Sequence, residues 1–232
     1  MLTGPDARDP GPGAGGDRAS HPRTIVKVCG VTRLADARFA VESGADWIGV
    51  ILHGDSPRRV SPERAAKIAA AIPGVPVVAV MVGVTPDHAL EIARRAGALR
   101  VQIHRPAAPW PAEFPLPAAI VVPVDRQGRL AADPPAAGHL LMLDTADPER
   151  AGGTGRRFPW DAAVAIARER LVMIAGGLTP ANVAEAVRRV RPFAVDASSG
   201  LERAPGIKDS DLVRRFVLAV RELDAAPREP AA

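Results

Sequence analysis

The residues that could do chemistry in this chain are few, and most stand where an apolar run ends. Cys29 is the only cysteine; it closes the run beginning at Thr24, in "KVCGVTR", directly before a glycine and a polar turn. A thiol in that place is either a small buried filler or a reagent. Asp144 closes the run "HLLMLD". A carboxyl there is either a turn former or helix cap, or an acid. If both act, the pair suits an isomerisation, because a thiolate can take a proton from carbon and a carboxylic acid can give one to oxygen. Gln102 and His104 close the run "LRVQIH", and Asp196 opens the run end "DASSG". Arg58 lies in the loop "SPRRVSPE", where an inward guanidinium could clamp a carboxylate with its planar fork. The commoner fate of such an arginine is solvation, and that reading suits Arg59. His53 and His104 each have an ordinary alternative as hydrogen-bonded structural histidines.

Glycines add a second kind of site. "AGG" (175–177) contains Gly176 and Gly177, and "SSG" (198–200) contains Ser198, Ser199 and Gly200. Small residues with free backbone N–H groups ahead of a helix form an anion site; the plainer reading is that the glycines only make tight turns. Two such loops at successive run ends favour phosphate. "GGTG" (152–155) is not a dinucleotide fingerprint, and nothing resembles a Walker loop. No set of histidines and carboxylates has metal-ligand spacing.

The elements that must carry these residues alternate regularly. Short β-rich runs at 24–28, 47–52, 75–82, 99–104, 118–124, 139–144, 171–177 and 192–200 are separated, for the most part, by amphipathic stretches. Helices are expected from Leu34 to Ser43 with Gly44 beyond the end, after Ser61-Pro62, after Thr85-Pro86 up to Gly97, and from about Trp160, Thr179 and Asp209. "RPAAPWPAEFPLP" holds too many prolines for a long helix, and "DRQGRLAADPPAAG" reads as a loop. Apolar strands alternating with helices imply a parallel sheet covered by helices. Eight units predict closure into a (β/α)8 barrel, a TIM barrel with irregular connections after strands four and five; on pattern alone an open doubly wound sheet is also compatible. In such a barrel the strand ends face one mouth, where chemistry sits.

The bulk properties narrow the classes. Hydrophobic residues make up 47% of 232, enough for a full core, while aromatics are 3% and tyrosine is absent, so the core must be mostly Ala, Val, Leu and Ile. The net charge of +4 is spread along helical stretches without an aromatic-interleaved basic patch, which argues against nucleic acid. One cysteine excludes an internal disulfide or a cysteine zinc cluster. No secretory h-region and no membrane-length apolar run is visible, so a cytoplasmic location is expected. Residues 1–22, rich in Gly, Pro, Asp and Arg, read as a disordered lead, and 225–232 as a similar tail, leaving one domain over 23–224. Nothing in the sequence names a protein partner.

Taken in order, "KVCGVTR", "ADARFAVESGADWIGVIL", "SPRRVSPE", "VQIH", "LMLDT", "GGTGRRFPW", "AGGLTPANV", "PFAVDASSGLE" and "PGIKD" resemble the phosphoribosylanthranilate isomerase family over about residues 24 to 220. The resemblance implies a (β/α)8 barrel of tryptophan biosynthesis that performs an Amadori rearrangement of a phosphorylated small molecule without metal or organic cofactor. It implies Cys29 as general base and Asp144 as general acid. Arg58 would hold the anthranilate carboxylate, with Gln102, His104 and Asp196 also on the substrate. Gly176, Gly177, Ser198, Ser199 and Gly200 would bind the phosphate. The implied chemistry asks for a protonated carboxyl and an ionised thiol, hence for opposed shifts of their proton affinities. It assigns the acidic limb of the rate profile to Cys29 and the alkaline limb to Asp144. The chain departs from the family pattern at Leu52 and His53, where an aromatic pair is common, at Arg105, where glycine is usual, and at Pro159, where an acidic residue is usual; these bear on the aryl end of the pocket. The sister barrel isomerase of histidine biosynthesis has an aspartate where this chain has Cys29.

Overall fold

A computed structural model describes residues 23–145 and 158–225. The "GGTG" segment, the lead and most of the proposed tail lie outside the described residues. Eight parallel strands close into a barrel in sequence order: β1 (Ile25–Val28), β2 (Trp47–His53), β3 (Val77–Val82), β4 (Arg100–His104), β5 (Ala118–Val124), β6 (Leu140–Thr145), β7 (Val172–Ile174) and β8 (Ala194–Ala197). Closure comes from β1 pairing with β8, with Lys27 opposite Asp196 and Val28 opposite Ala197. Around the barrel run α1 (Leu34–Glu42), α2 (Pro62–Ala71), α3 (Pro86–Arg95), α4 (Asp161–Glu169), α5 (Val183–Val190) and α6 (Ser210–Ala225). The links from β4 to β5 and from β5 to β6 contain no helix, as their prolines require.

Local signals explain where the helices begin and end. Ser61 and Thr85 accept hydrogen bonds from the backbone N–H groups of Arg64 and His88, with Pro62 and Pro86 in the first turn. Gly44 and Gly97 follow α1 and α3 with φ of 99° and 62°, the left-handed conformation glycine adopts without strain. Two elements differ from expectation. The helix expected from Thr179 begins at Val183, because Asn182 turns back on the loop: its Oδ1 accepts from the Thr179 N–H and its Nδ2 donates to Gly177 O, both at 2.9 Å. A two-stranded hairpin, β9 (Glu202–Ala204) and β10 (Ile207–Lys208), follows β8, where the sequence reading has only a loop.

The strands alternate between two cores. Val26 and Val28 point outward into the layer shared with the helices, whereas Ile25 points into the barrel beside Trp47, Met142 and Met173. Arg100 lies with its guanidinium 4.4 Å from the centre of the Trp47 ring, and Trp47 packs on Phe193, filling the N-terminal half of the interior. By the same alternation, Lys27 and Cys29 share the inward face of β1 with Ile25.

Candidate active site

The inward alternation raises a column of polar residues above the apolar floor. Lys27 is fully buried; its ammonium donates to Gln102 Oε1 at 2.8 Å and to Asp196 Oδ1 at 2.9 Å. That fixes the orientation of the Gln102 amide, because an ammonium can only donate. The Gln102 Nε2 then faces His104 Nε2 at 2.9 Å. An amide nitrogen can only donate, so His104 accepts at Nε2 and carries its proton at Nδ1. Burial, helped by the charges of Lys27 and Arg105, pushes His104 down to about 3, so the ring is neutral at any physiological pH.

Cys29 and Asp144 sit at the same mouth. Burial drives Asp144 up to about 7; the Thr145 N–H on its Oδ1 opposes this and the charge of Asp196 adds to it. This carboxyl holds its proton into the neutral range, as an acid requires. Cys29 departs from the expectation of opposed shifts. Burial pushes its thiol up and Asp196 pushes it further, while Lys27 and Lys208 pull it back. The thiol is therefore held protonated more firmly than an exposed one.

Arg58 reaches the mouth from the loop after β2. Its Cδ lies 2.7 Å from where a side chain on Gly30 would begin, as does Ser198 Oγ. It does not present an empty fork: Nε and Nη2 are bound to the carboxylate of Glu202 at 2.8 to 3.1 Å. Glu202 also accepts from Lys208 Nζ at 2.9 Å, and Lys208 donates to Ser198 O at 3.1 Å. The hairpin thus orients Arg58 by its Nε–Nη2 edge and braces the loop after β8.

The two glycine loops meet. A side chain on Gly200 would begin 2.1 Å from Leu178 O, so the loop after β8 lies directly on the loop after β7. Gly176 and Gly177 have φ of 82° and 65°, and Gly176 lies against Thr145 and Asp144. Ser198, Ser199, Gly200, Gly176 and Gly177 thereby form one rim, adjacent to the candidate acid.

All the site residues expected from the sequence gather at this mouth. The sequence reading does not single out Lys27, Glu202 or Lys208. Lys27 carried a readable signal: a lysine inside an apolar strand, two residues before Cys29 and therefore on its face. Glu202 and Lys208 gave none, since their roles depend on the hairpin.

Fold and site together define a parallel (β/α)8 barrel with a candidate acid and a candidate base at the C-terminal ends of its strands. The chain belongs to the N-(5'-phosphoribosyl)anthranilate isomerase family, whose model matches residues 26–219. It is 43% identical over 204 residues to the N-(5'-phosphoribosyl)anthranilate isomerase of Geobacter sp. (strain M21), covering 86% of this chain and 99% of that one. It is 39% identical over 202 residues to the same enzyme of Rubrobacter xylanophilus, covering 84% and 98%. The crystal structure of phosphoribosyl anthranilate isomerase from Thermotoga maritima superimposes with a TM-score of 0.73 at 33% identity, covering 86% of this chain and 99% of that chain. A phosphoribosyl anthranilate isomerase in complex with reduced 1-(o-carboxyphenylamino)-1-deoxyribulose 5-phosphate gives 0.69 at 32%, covering 86% and 99%.

Proposed function

We infer that this chain converts N-(5'-phosphoribosyl)anthranilate to 1-(2-carboxyphenylamino)-1-deoxyribulose 5-phosphate, the isomerase step of tryptophan biosynthesis. The observation that carries the reading, beyond family membership, is a carboxyl raised to about 7 at one mouth with a buried thiol and two touching glycine loops. The phosphate of the substrate is placed on the loops of Gly176, Gly177, Ser198, Ser199 and Gly200, and its aryl carboxylate on Arg58.

In the first step Asp144 gives its proton to the ribose ring oxygen. The C1′–O bond breaks as the nitrogen lone pair forms a C1′=N bond, and the ring opens to a protonated Schiff base. Cys29, as thiolate, then removes the proton from C2′; those electrons form a C1′=C2′ bond and neutralise the nitrogen. The resulting enolamine becomes the ketone by losing its C2′ hydroxyl proton to the Asp144 carboxylate and gaining one at C1′ from the Cys29 thiol, which returns both groups to their starting states. Asp196 and Gln102 hold Lys27 on the inward face of β1 that it shares with Cys29, and His104 carries an Nδ1–H as a neutral donor. Each step moves a proton between groups of this chain and the substrate, which is general acid–base catalysis.

In this reading the chain acts on a small phosphorylated molecule, with no nucleic acid, no membrane and no added cofactor, in the cytoplasm. Among the described residues no helix is long and apolar enough to cross a membrane. The test is direct: purified protein added to freshly made phosphoribosylanthranilate should quench its fluorescence at a rate proportional to protein. No change above the uncatalysed rate would overturn the assignment.

A further inference from the structure

Cys29 poses a problem for its own proposed role, since burial and Asp196 both favour the thiol over the thiolate. Some feature of the site must offset this. The groups that face the sulfur are Lys27 on β1, Asp196 on β8, Lys208 on β10 and Arg58 after β2; Asp144 on β6 and His104 on β4 complete the ring of titratable groups at this mouth. Arg58 and Lys208 are both turned to Glu202, which compensates much of their charge. Lys27 differs. It is wholly buried, and an ammonium has three N–H donors. Two go to Gln102 and Asp196 at 2.8 and 2.9 Å, which leaves the third.

Gly49 shows where the third donor points. A side chain on Gly49 would begin 2.8 Å from the Cys29 sulfur and 2.9 Å from the Lys27 nitrogen, so thiol and ammonium share the room that this glycine leaves empty. The backbone of Gly49 does not call for glycine, because it is absent from the residues with positive φ. Its missing side chain matters as space on the neighbouring strand.

We propose that Lys27 is the positioning residue of the base: its ammonium, fixed by Asp196 and Gln102 and admitted by Gly49, stabilises the ionised sulfur of Cys29 in the barrel mouth. This rests on Cys29 acting as the base, but its first test needs no substrate. The chain has one cysteine and no tyrosine, so the ultraviolet absorbance that grows as a thiol ionises comes from Cys29 with no phenolate beneath it, and Cys29→Ala supplies the blank.

In Lys27→Met the midpoint of that titration should rise by about 1 pH unit or more, within the range an adjacent opposite charge produces. At neutral pH this means about tenfold less thiolate and about tenfold lower kcat/KM. Gly49→Ala, which keeps every charge and meets only the far ends of two side chains, should raise the midpoint in the same direction by parting sulfur from ammonium. Removing Lys27 leaves Asp196 buried and unpaired. If Lys27→Met does not fold, Lys27→Met/Asp196→Asn compared with Asp196→Asn reads the same difference without a stranded carboxylate. A midpoint unmoved by loss of Lys27, in whichever of these pairs folds, overturns the proposal whatever the turnover. A raised midpoint with unchanged kcat/KM upholds the hold of Lys27 on the sulfur and overturns instead the reading of Cys29 as the base.

Discussion

The rate should follow pH through Asp144 and Cys29, in a sequence opposite to the one their roles first suggest. In the proposed mechanism the productive form has Asp144 protonated and Cys29 ionised. Asp144 gives up its proton near pH 7, and Cys29 only above the ordinary thiol value of 9.0. Below pH 7 the acid is intact and thiolate grows with pH, so kcat/KM rises. Between the two values each gain in thiolate is cancelled by a loss of protonated Asp144, giving a plateau. Above the thiol value only acid is being lost, and the rate falls. The lower inflection thus reports Asp144 and the upper one Cys29, a reversal of the assignment drawn from the sequence. In Asp144→Asn the inflection near 7 should vanish, and the residual kcat/KM should keep climbing until the thiol is ionised. A wild-type rate that already declines above pH 7 would show that Cys29 ionises below Asp144. Cys29→Ala should fold and lose several orders of magnitude in kcat with phosphate binding kept; near-native turnover would remove the thiol from the mechanism. Arg58→Ala should weaken binding of the carboxylated product by about 2 to 5 kcal/mol, towards the lower end because the side chain keeps 14% of its exposure. Ligands lacking the carboxylate should bind Arg58→Ala and wild type nearly alike in a titration.

The loops after β7 and β8 work as one element because they touch. Gly200→Ala drives a methyl into Leu178 O at 2.1 Å, and a backbone carbonyl cannot swing aside as a side-chain end can. It should cost about 1 to 3 kcal/mol in urea unfolding and weaken inorganic phosphate binding, while leaving the Cys29 titration in place. If phosphate affinity were unaffected, the rim would not be the anion site. What could be read in advance follows the physics of each element. α2 and α3 announce themselves because Ser61-Pro62 and Thr85-Pro86 satisfy orphan N–H groups locally, and the strands do so because buried parallel strands are apolar runs. The hairpin does not, since Glu202 on its first strand meets Arg58 from far along the chain and meets Lys208 only once the two short strands have paired. Cys29 and Asp144 could be found because strand ends share one mouth. The proton state of Cys29 could not, because it is set by what surrounds it in space. Arg105, the departure from the usual glycine, has φ of 47°, so this chain asks an ordinary residue to hold the left-handed conformation a glycine holds freely.

At the scale of the whole barrel, the site and the clasp that joins the first strand to the last helix occupy opposite ends. Asp46, before β2, accepts from the Val26 N–H and is paired with both Arg23 and Arg221. Arg221, on α6, also donates to Thr24 O and Gly44 O. This clasp ties the start of the barrel to its last helix, far along the sequence and away from the mouth. Arg221→Ala should destabilise the fold by about 1.5 to 3 kcal/mol, the range for hydrogen bonds to charged groups, since Arg23 still faces Asp46. kcat/KM measured well below the melting temperature should stay near wild type; a large loss of activity in the folded variant would mean the two ends are coupled. The clasp also brings the described ends of the chain together, with the Thr24 N–H donating to Asp224 at 3.0 Å. A barrel whose two ends meet on the floor can be spliced, tethered or carried as cargo from that side with its mouth unobstructed. A permuted chain joined across this seam and opened in the helix-free link between β5 and β6 would keep every site residue in its place, so the order in which the eight strands are written is a convenience of the gene and not a requirement of the catalyst.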